Sequence, residues 1–179
     1  MNRWLLGKMI GAAITYPRKE LYDYGMYYSP YYSLMYYLAH SIDNGIAVEL
    51  GVESGRGINA LSLGNPDLKV VGIDTTDVCS EIVESRPNIT FLHLPSLPPP
   101  EGVMDISLLH IDTEHSYAMA QAEFNAYQPL LLPGAVVLFD DTHAMDDGVK
   151  QFVDTLPYYK IYEDRLHPIC GYAVVLYEP

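Results

Sequence analysis

The chain has 179 residues, 49% hydrophobic and 18% charged, the proportions of one globular domain long enough to bury a core and unlike those of disordered or low-complexity sequences. Its 23 acidic against 10 basic residues leave a formal net charge of −13, which repels phosphate backbones and anionic lipid heads and argues against nucleic acid and membrane surfaces as partners. Cys79 and Cys170 lack the close spacing of a disulfide scaffold or a zinc site, so reduced thiols and a cytoplasmic location are expected.

Residues 1–44 read as a helical arm packed on a catalytic domain formed by residues 45–179, within a single domain overall. Arg3 and Lys8 interrupt the apolar start of the chain, and the longest uninterrupted apolar run, Met9 to Ile14, is too short for a signal segment or a membrane span. Trp4, Leu5, Leu6, Met9 and Ile10 are spaced as one face of a short helix. This arm is also the surface through which a homo-oligomer is expected, if one forms. Ser29-Pro30 is a helix start, after which Tyr31, Leu34, Met35, Leu38 and Ile42 form a core stripe that ends near Asn44-Gly45. A second stripe of Tyr32, Tyr36 and His40, preceded by Tyr27 and Tyr28, reads as amphipathic packing in preference to the wall of an acceptor pocket.

Ile46 to Leu50 is a short apolar strand carrying Glu49 near its end, followed by Gly51, Gly55 and a helix opening near Ser54, whose first N–H groups face an anionic ligand. That helix stops at Gly64-Asn65-Pro66, and Lys69 to Asp74 forms a second strand, making a parallel crossover unit. A short helix is expected over Val78 to Ser85, a third strand over Ile89 to Leu94, and a clipped loop through the prolines from Pro95 to Pro100. Asp105 to Ile111 is a buried strand leading into Asp112-Thr113-Glu114-His115-Ser116-Tyr117. Tyr117, Ala120, Phe124, Tyr127 and Leu131 mark a long helix halted by Pro133-Gly134, and Ala135 to Phe139 is a strand ending in Asp140-Asp141. Val149, Phe152, Val153 and Leu156 mark another helix, and Tyr158 to Tyr162 and Gly171 to Tyr177 close the chain as a hairpin. This alternation predicts an α/β, doubly wound, mostly parallel sheet with a C-terminal antiparallel hairpin and ligands at the carboxyl ends of the strands.

Gly55-Arg56-Gly57-Ile58-Asn59-Ala60 fits the dinucleotide pattern G-x-G-x-x-A with Asp74 as the ribose acid. The register disagrees with it: Gly55 comes five residues after Leu50, and a carboxylate at Glu49 faces a pyrophosphate badly. Glu49-x-Gly51-x-x-x-Gly55 instead resembles the first motif of the class I, Rossmann-like S-adenosylmethionine-dependent methyltransferases. Ile111 to Tyr117, Pro133-Gly134 and Phe139-Asp140-Asp141 resemble the small-molecule O-methyltransferases related to macrocin O-methyltransferase and the cephalosporin-hydroxylase group, over about residues 45–177. The chain departs from that group in Asp-Thr-Glu-His where Asp-Gly-Asp-His is usual, and in Pro95-Ser96 where an acid often meets the adenine amine.

The resemblance implies a seven-stranded sheet and S-adenosylmethionine held by Glu49, Gly51, Ser54, Gly55, Asp74, Thr75, Ser96 and Asp112. Asp112, Asp140 and Asp141 come from strand ends expected to be neighbours, and three anions in one crevice repel unless protonated or bridged by a cation. Magnesium or another hard divalent ion suits such oxygen ligands, although the same acids also serve as loop or helix caps. The expected reaction is transfer of a methyl group to a hydroxyl of a small molecule. Glu114 and His115 rank evenly as the group that takes the proton, with His143 as an outside candidate. A nicotinamide-dependent Rossmann oxidoreductase and a non-catalytic S-adenosylmethionine-binding module are the alternatives.

Overall fold

The computed structural model describes residues 1–18, 21, 30–76 and 80–179; Tyr27, Tyr28, Ser29, Val78 and Cys79, named above, lie outside them. Chain order is α1 (Arg3–Thr15), α2 (Pro30–His40), β1 (Ile46–Leu50), α3 (Arg56–Gly64), β2 (Lys69–Asp74), α4 (Ser80–Ser85) and β3 (Ile89–His93). Then follow β4 (Ile106–Ile111), α5 (Tyr117–Tyr127), β5 (Leu131–Asp140), α6 (Gly148–Thr155), β6 (Tyr159–Tyr162) and β7 (Tyr172–Leu176). One seven-stranded sheet runs in the order β3-β2-β1-β4-β5-β7-β6, parallel from β3 to β5, with β7 antiparallel to both β5 and β6. The expected Rossmann-like doubly wound sheet with its terminal hairpin is therefore present.

Side chains alternate across this sheet as its pleat requires, and they divide the core in two. Ala47, Val70, Leu108, Val136 and Val174 face α1, α2 and α3, whereas Val48, Val71, Leu109, Val137 and Val175 face α5 and α6. Leu34, Met35 and Leu38 of α2 and Phe124, Phe152 and Val153 on the opposite side are all nearly inaccessible to solvent. Each such side chain contributes about 1.5–3 kcal/mol through apolar burial.

The arm joins this core through Leu6, Ile10 and Ala13 of α1. Its apolar face is rotated from the expected one, for Trp4 is 71% exposed, with the Lys8 ammonium over its ring. At the start of α1 the Asn2 side chain accepts from Leu5 N, which satisfies one of the free amides of the first turn. α2 ends at His40, earlier than Asn44-Gly45 suggests, and the His40 ring reaches Gly64 O at 3.2 Å.

The largest difference from the sequence pattern concerns β5. α5 stops at Tyr127 and a single tight turn containing Pro129 follows, so β5 begins at Leu131 and includes Pro133-Gly134. A bulge absorbs the added residues: Ile106 pairs with Leu131, but Leu108 already pairs with Val136. Gly134 tolerates this with φ +82° while its N–H donates to Tyr177 O. Among the described residues no helix is long and apolar enough to cross a membrane.

Candidate active site

β2 and β3 lie on one side of β1, while β4 and β5 lie on the other, so the order of the sheet reverses between β1 and β4. Ligands of such sheets bind outside the carboxyl ends at this reversal. A cavity of about 1050 Å³ opens there. Gly51, Glu53, Arg56, Asp74 and Thr75 line one end, and Asp112, Glu114, His115, Asp141 and His167 line the other.

The first end is shaped mainly by backbone. Gly51 N donates to Ile73 O at 3.0 Å, and Asp112 N donates to Leu50 O at 2.9 Å, which draws the ends of β1, β2 and β4 together. Gly51 has φ +80°, and a Cβ there would collide with the Asp112 carbonyl oxygen. α3 begins at Arg56 with Gly55, at φ +82°, as its N-cap; no side chain caps it, so Ser54 does not serve as the cap. Asp74 accepts from the amides of Val52 (2.7 Å) and Glu53 (2.8 Å) through Oδ2 and from Thr76 N (2.8 Å) through Oδ1. Burial pushes the Asp74 carboxyl up, but the amides of Glu53, Thr76, Val52 and Thr75 together hold it below the usual range.

Glu49 lies underneath this end and does not line the cavity. It is 2% exposed, its Oε1 stands 2.9 Å from His110 Nδ1, and Gly57 leaves room for its carboxylate where a Cβ would collide. Burial opposes an imidazolium at His110, but Glu49 outweighs it, with Asp112 and Asp140 adding, so the ring is held above its ordinary range. Glu49 thus spends one oxygen on a buried histidine, where direct recognition of the cofactor was expected. Ser54 and Gly55 likewise lie outside the cavity lining, whereas Gly51, Asp74, Thr75, Ser96 and Asp112 contribute to it.

Between the two ends, Ser96 Oγ donates to Glu123 Oε1 at 2.6 Å and Thr113 Oγ1 donates to Glu123 Oε2 at 2.7 Å. Glu123 sits on α5 without solvent exposure, and Tyr127 of the same helix donates through its hydroxyl to Ser96 O at 2.8 Å. These bonds fix the proline loop against α5. The helical pattern hides Glu123, because a charged residue on an apolar stripe carries no sign of its partners.

At the second end the acids are spaced by histidines. His115 reaches Asp112 Oδ1 through Nε2 at 3.3 Å and Asp141 Oδ2 through Nδ1 at 2.8 Å. These two hydrogen bonds push its imidazole up to about 10, so both nitrogens are protonated near neutral pH. His167 Nδ1 lies 2.7 Å from Asp140 Oδ1 and 3.6 Å from Asp141 Oδ1, and the Asp140 carboxylate raises the pKa of its ring. Glu114 is exposed on the same wall. His143 turns away, with 41% of its side chain exposed between Asp147 and Asp164, and lines no part of the cavity.

His167 and Cys170 come from the loop before β7. Nothing in that loop's sequence announces a site; it reaches the cavity because β7 inserts between β5 and β6. Tyr31 and Tyr32 at the start of α2 also line the cavity, and Tyr31 stacks on Tyr172 with ring centroids 5.0 Å apart. The second stripe therefore divides: Tyr32 faces the cavity, while Tyr36 packs under the Arg18 guanidinium at 4.4 Å.

The magnesium expectation is not met by this arrangement. Among the described residues the potential donor groups whose ligand atoms all lie within 4.8 Å of one another are Asp141–His167–Cys170 and Glu49–His110–Asp112. Asp112, Asp140 and Asp141 do not gather into an all-oxygen set, because His115 stands between two of them and His167 engages the third. Part of the repulsion that called for a cation is relieved by the protonated His115 between Asp112 and Asp141.

A parallel sheet with a glycine turn after β1 and a cavity at its point of reversal is the architecture of Rossmann-like methyltransferases. Residues 48–142 match the family described as a methyltransferase domain, and the chain belongs to that family. Among solved structures, cofactor-bound Rv0187 from MTB superposes with a TM-score of 0.71 at 17% identity, covering 98% of this chain and 90% of that one. The O-methyltransferase TomG from Streptomyces achromogenes, in complex with SAM, gives 0.68 at 15% identity, covering 96% and 90%. An O-methyltransferase from Bacillus cereus in complex with SAH gives 0.67 at 14% identity, covering 96% and 91%. At these identities the likeness concerns the fold. No curated protein matches the chain.

Proposed function

We propose that the protein transfers a methyl group from S-adenosylmethionine to a hydroxyl of a small molecule. The observation that carries this reading is the cavity at the sheet reversal, with the glycine turn at one end and exposed Glu114 at the other. Its volume of about 1050 Å³ accommodates an adenosyl amino acid together with an acceptor. The solved O-methyltransferases that share the fold, one of them in complex with SAM, support the choice of reaction.

When bound, the cofactor supplies an electrophilic methyl group on a positively charged sulfur. The chain's own residues do the rest. The turn at Gly51 allows close backbone approach, and the surplus of acids around the cavity favours the cofactor's positive charges. Asp74 holds the turn through Val52 and Glu53 and presents its remaining lone pairs to ribose hydroxyls beside Thr75. Ser96, fixed by Glu123, forms the wall on the adenine side. At the other end Glu114 accepts the proton from the acceptor hydroxyl as its oxygen takes the methyl group. His115 is unsuited to that role, because both ring nitrogens already serve carboxylates. Its part is to hold Asp112 and Asp141 apart at fixed distance. Rigid placement of the two reactants contributes most of the acceleration expected of such a transfer.

The acceptor is a hydroxylated small molecule lying against Tyr31 and Tyr32, and a cytoplasmic location belongs to this reading, supported by the free thiol of Cys170. Isothermal calorimetry tests the first step: S-adenosylmethionine binds with a dissociation constant in the micromolar range, and NAD does not bind. Binding of NAD alone would overturn the assignment. Mass spectrometry of a panel of hydroxylated compounds, incubated with the protein and cofactor, then identifies the methylated product.

A further inference from the structure

We propose that Asp141, His167 and Cys170 form a three-ligand site for a borderline transition-metal ion of the zinc class, at the acceptor end of the cavity. They offer one carboxylate oxygen, one imidazole nitrogen and one sulfur, all within 4.8 Å of one another. Such ions bind these atoms at about 2.0–2.3 Å in a tetrahedron, so side-chain adjustment of roughly an ångström closes the set. The sulfur decides the class of metal. Thiolate and imidazole ligands select zinc and its neighbours, whereas magnesium takes oxygen alone.

The scaffold around the three donors is already formed. Asp141 leaves β5 with φ +54°, a left-handed conformation uncommon outside glycine, which turns its carboxylate toward the β6–β7 loop. That loop is closed on itself by Gly171 N donating to His167 O at 2.9 Å, and it is anchored by His143 N donating to Cys170 O at 2.7 Å. Gly171 has φ +77°, and a Cβ there would collide with Thr142 and His143, so the loop packs directly on the end of β5. Asp140 stands 2.7 Å from His167 Nδ1, and a carboxylate in that position orients a metal-binding imidazole and strengthens it as a ligand. Asp112 and Glu114 add negative charge nearby.

Binding of the ion displaces the thiol proton of Cys170 and any proton on His167 Nε2 to solvent, while the Nδ1 proton stays in the bond to Asp140. Asp141 and His167 also line the cavity, which leaves a fourth position facing it. Three protein ligands with one open position is the pattern of catalytic rather than structural zinc. In the methyl-transfer reading, on which this role rests, the open position takes the acceptor's hydroxyl oxygen and lowers its pKa. Metal binding itself requires neither cofactor nor acceptor. His167 and Cys170 share one loop, three residues apart, and Asp141 comes from the end of β5, so the set is completed only by the fold.

The test is titration of the full chain, stripped with chelator, with cobalt(II) and with zinc, in the absence of S-adenosylmethionine. One equivalent of cobalt produces a thiolate-to-metal charge-transfer band, and zinc displaces it. Cys170→Ser abolishes the band, Cys79→Ser retains it, and His167→Ala weakens binding roughly tenfold or more. Should Cys170→Ser fail to fold, alkylation of the wild-type protein gives the same information, because zinc protects Cys170 from iodoacetamide. Absence of the band, its survival in Cys170→Ser, or alkylation of Cys170 at an unchanged rate would each overturn the site. Because calorimetry with S-adenosylmethionine is a separate measurement, loss of the metal site leaves the methyltransferase reading standing, and the converse also holds.

Discussion

The cofactor end of the cavity is defined by backbone, with Gly51 and Gly55 in left-handed conformations and the amides of Val52 and Glu53 fixed on Asp74. At the acceptor end, side chains from separate loops define the space: Asp112 and His115 after β4, Asp141 after β5, and His167 before β7. A backbone cradle tolerates few changes and serves one ligand. A side-chain cage changes shape with any substitution in its walls.

This contrast is sharpened first at the base. Glu114→Gln lowers turnover by about 10²–10⁴-fold, while calorimetry shows cofactor affinity unchanged. An equal loss in His115→Gln with Glu114→Gln active would move the base to the histidine. At the cofactor end, Gly57→Ala forces a Cβ against the buried Glu49 carboxylate, and overpacking of this kind costs roughly 1–3 kcal/mol in denaturant unfolding. Affinity for the cofactor falls with it, because Glu49 and the start of α3 shift together.

Glu123→Ala joins the two ends. It leaves the Ser96 and Thr113 hydroxyls without their acceptor, at a cost of about 1–3 kcal/mol in stability and with weaker cofactor binding. Unchanged cofactor affinity would show that the proline loop needs no such anchor. Asp74→Asn gives the smallest effect, less than about 1 kcal/mol for so accessible a group, and it carries a pH signature. The native carboxyl is held below its unfolded value of about 3.9, so the stability it contributes is present above that pH and is lost as pH falls through the native value. Unfolding curves of wild type and Asp74→Asn therefore differ at neutral pH and converge below about pH 4.

Much of the scaffold was legible in the chain, because strand and helix periodicities are local. Ile46 to Leu50, Lys69 to Asp74 and the apolar stripe of α6 stand where their patterns put them. Pro133-Gly134 has the look of a helix stop, whereas Pro129 ends α5 and the Pro-Gly pair forms part of a bulged strand. Asp112, Asp140 and Asp141 line the cavity, yet no local pattern shows which side chains they meet there. His167 and Cys170 lie in a loop whose position depends on β7 entering between β5 and β6, which no local pattern encodes.

By itself the sequence determined the α/β alternation, the glycine turn after β1 and the acids at the strand ends, since each follows from residues close together in the chain. Only the tertiary structure decided what those acids meet. It set Glu49 on His110 under the cavity, His115 between Asp112 and Asp141, and Cys170 with His167 beside Asp141. The physical reason is distance: charge pairing and metal coordination act over a few ångströms in space, and the partners here are brought within that range only by the order of strands in the folded sheet.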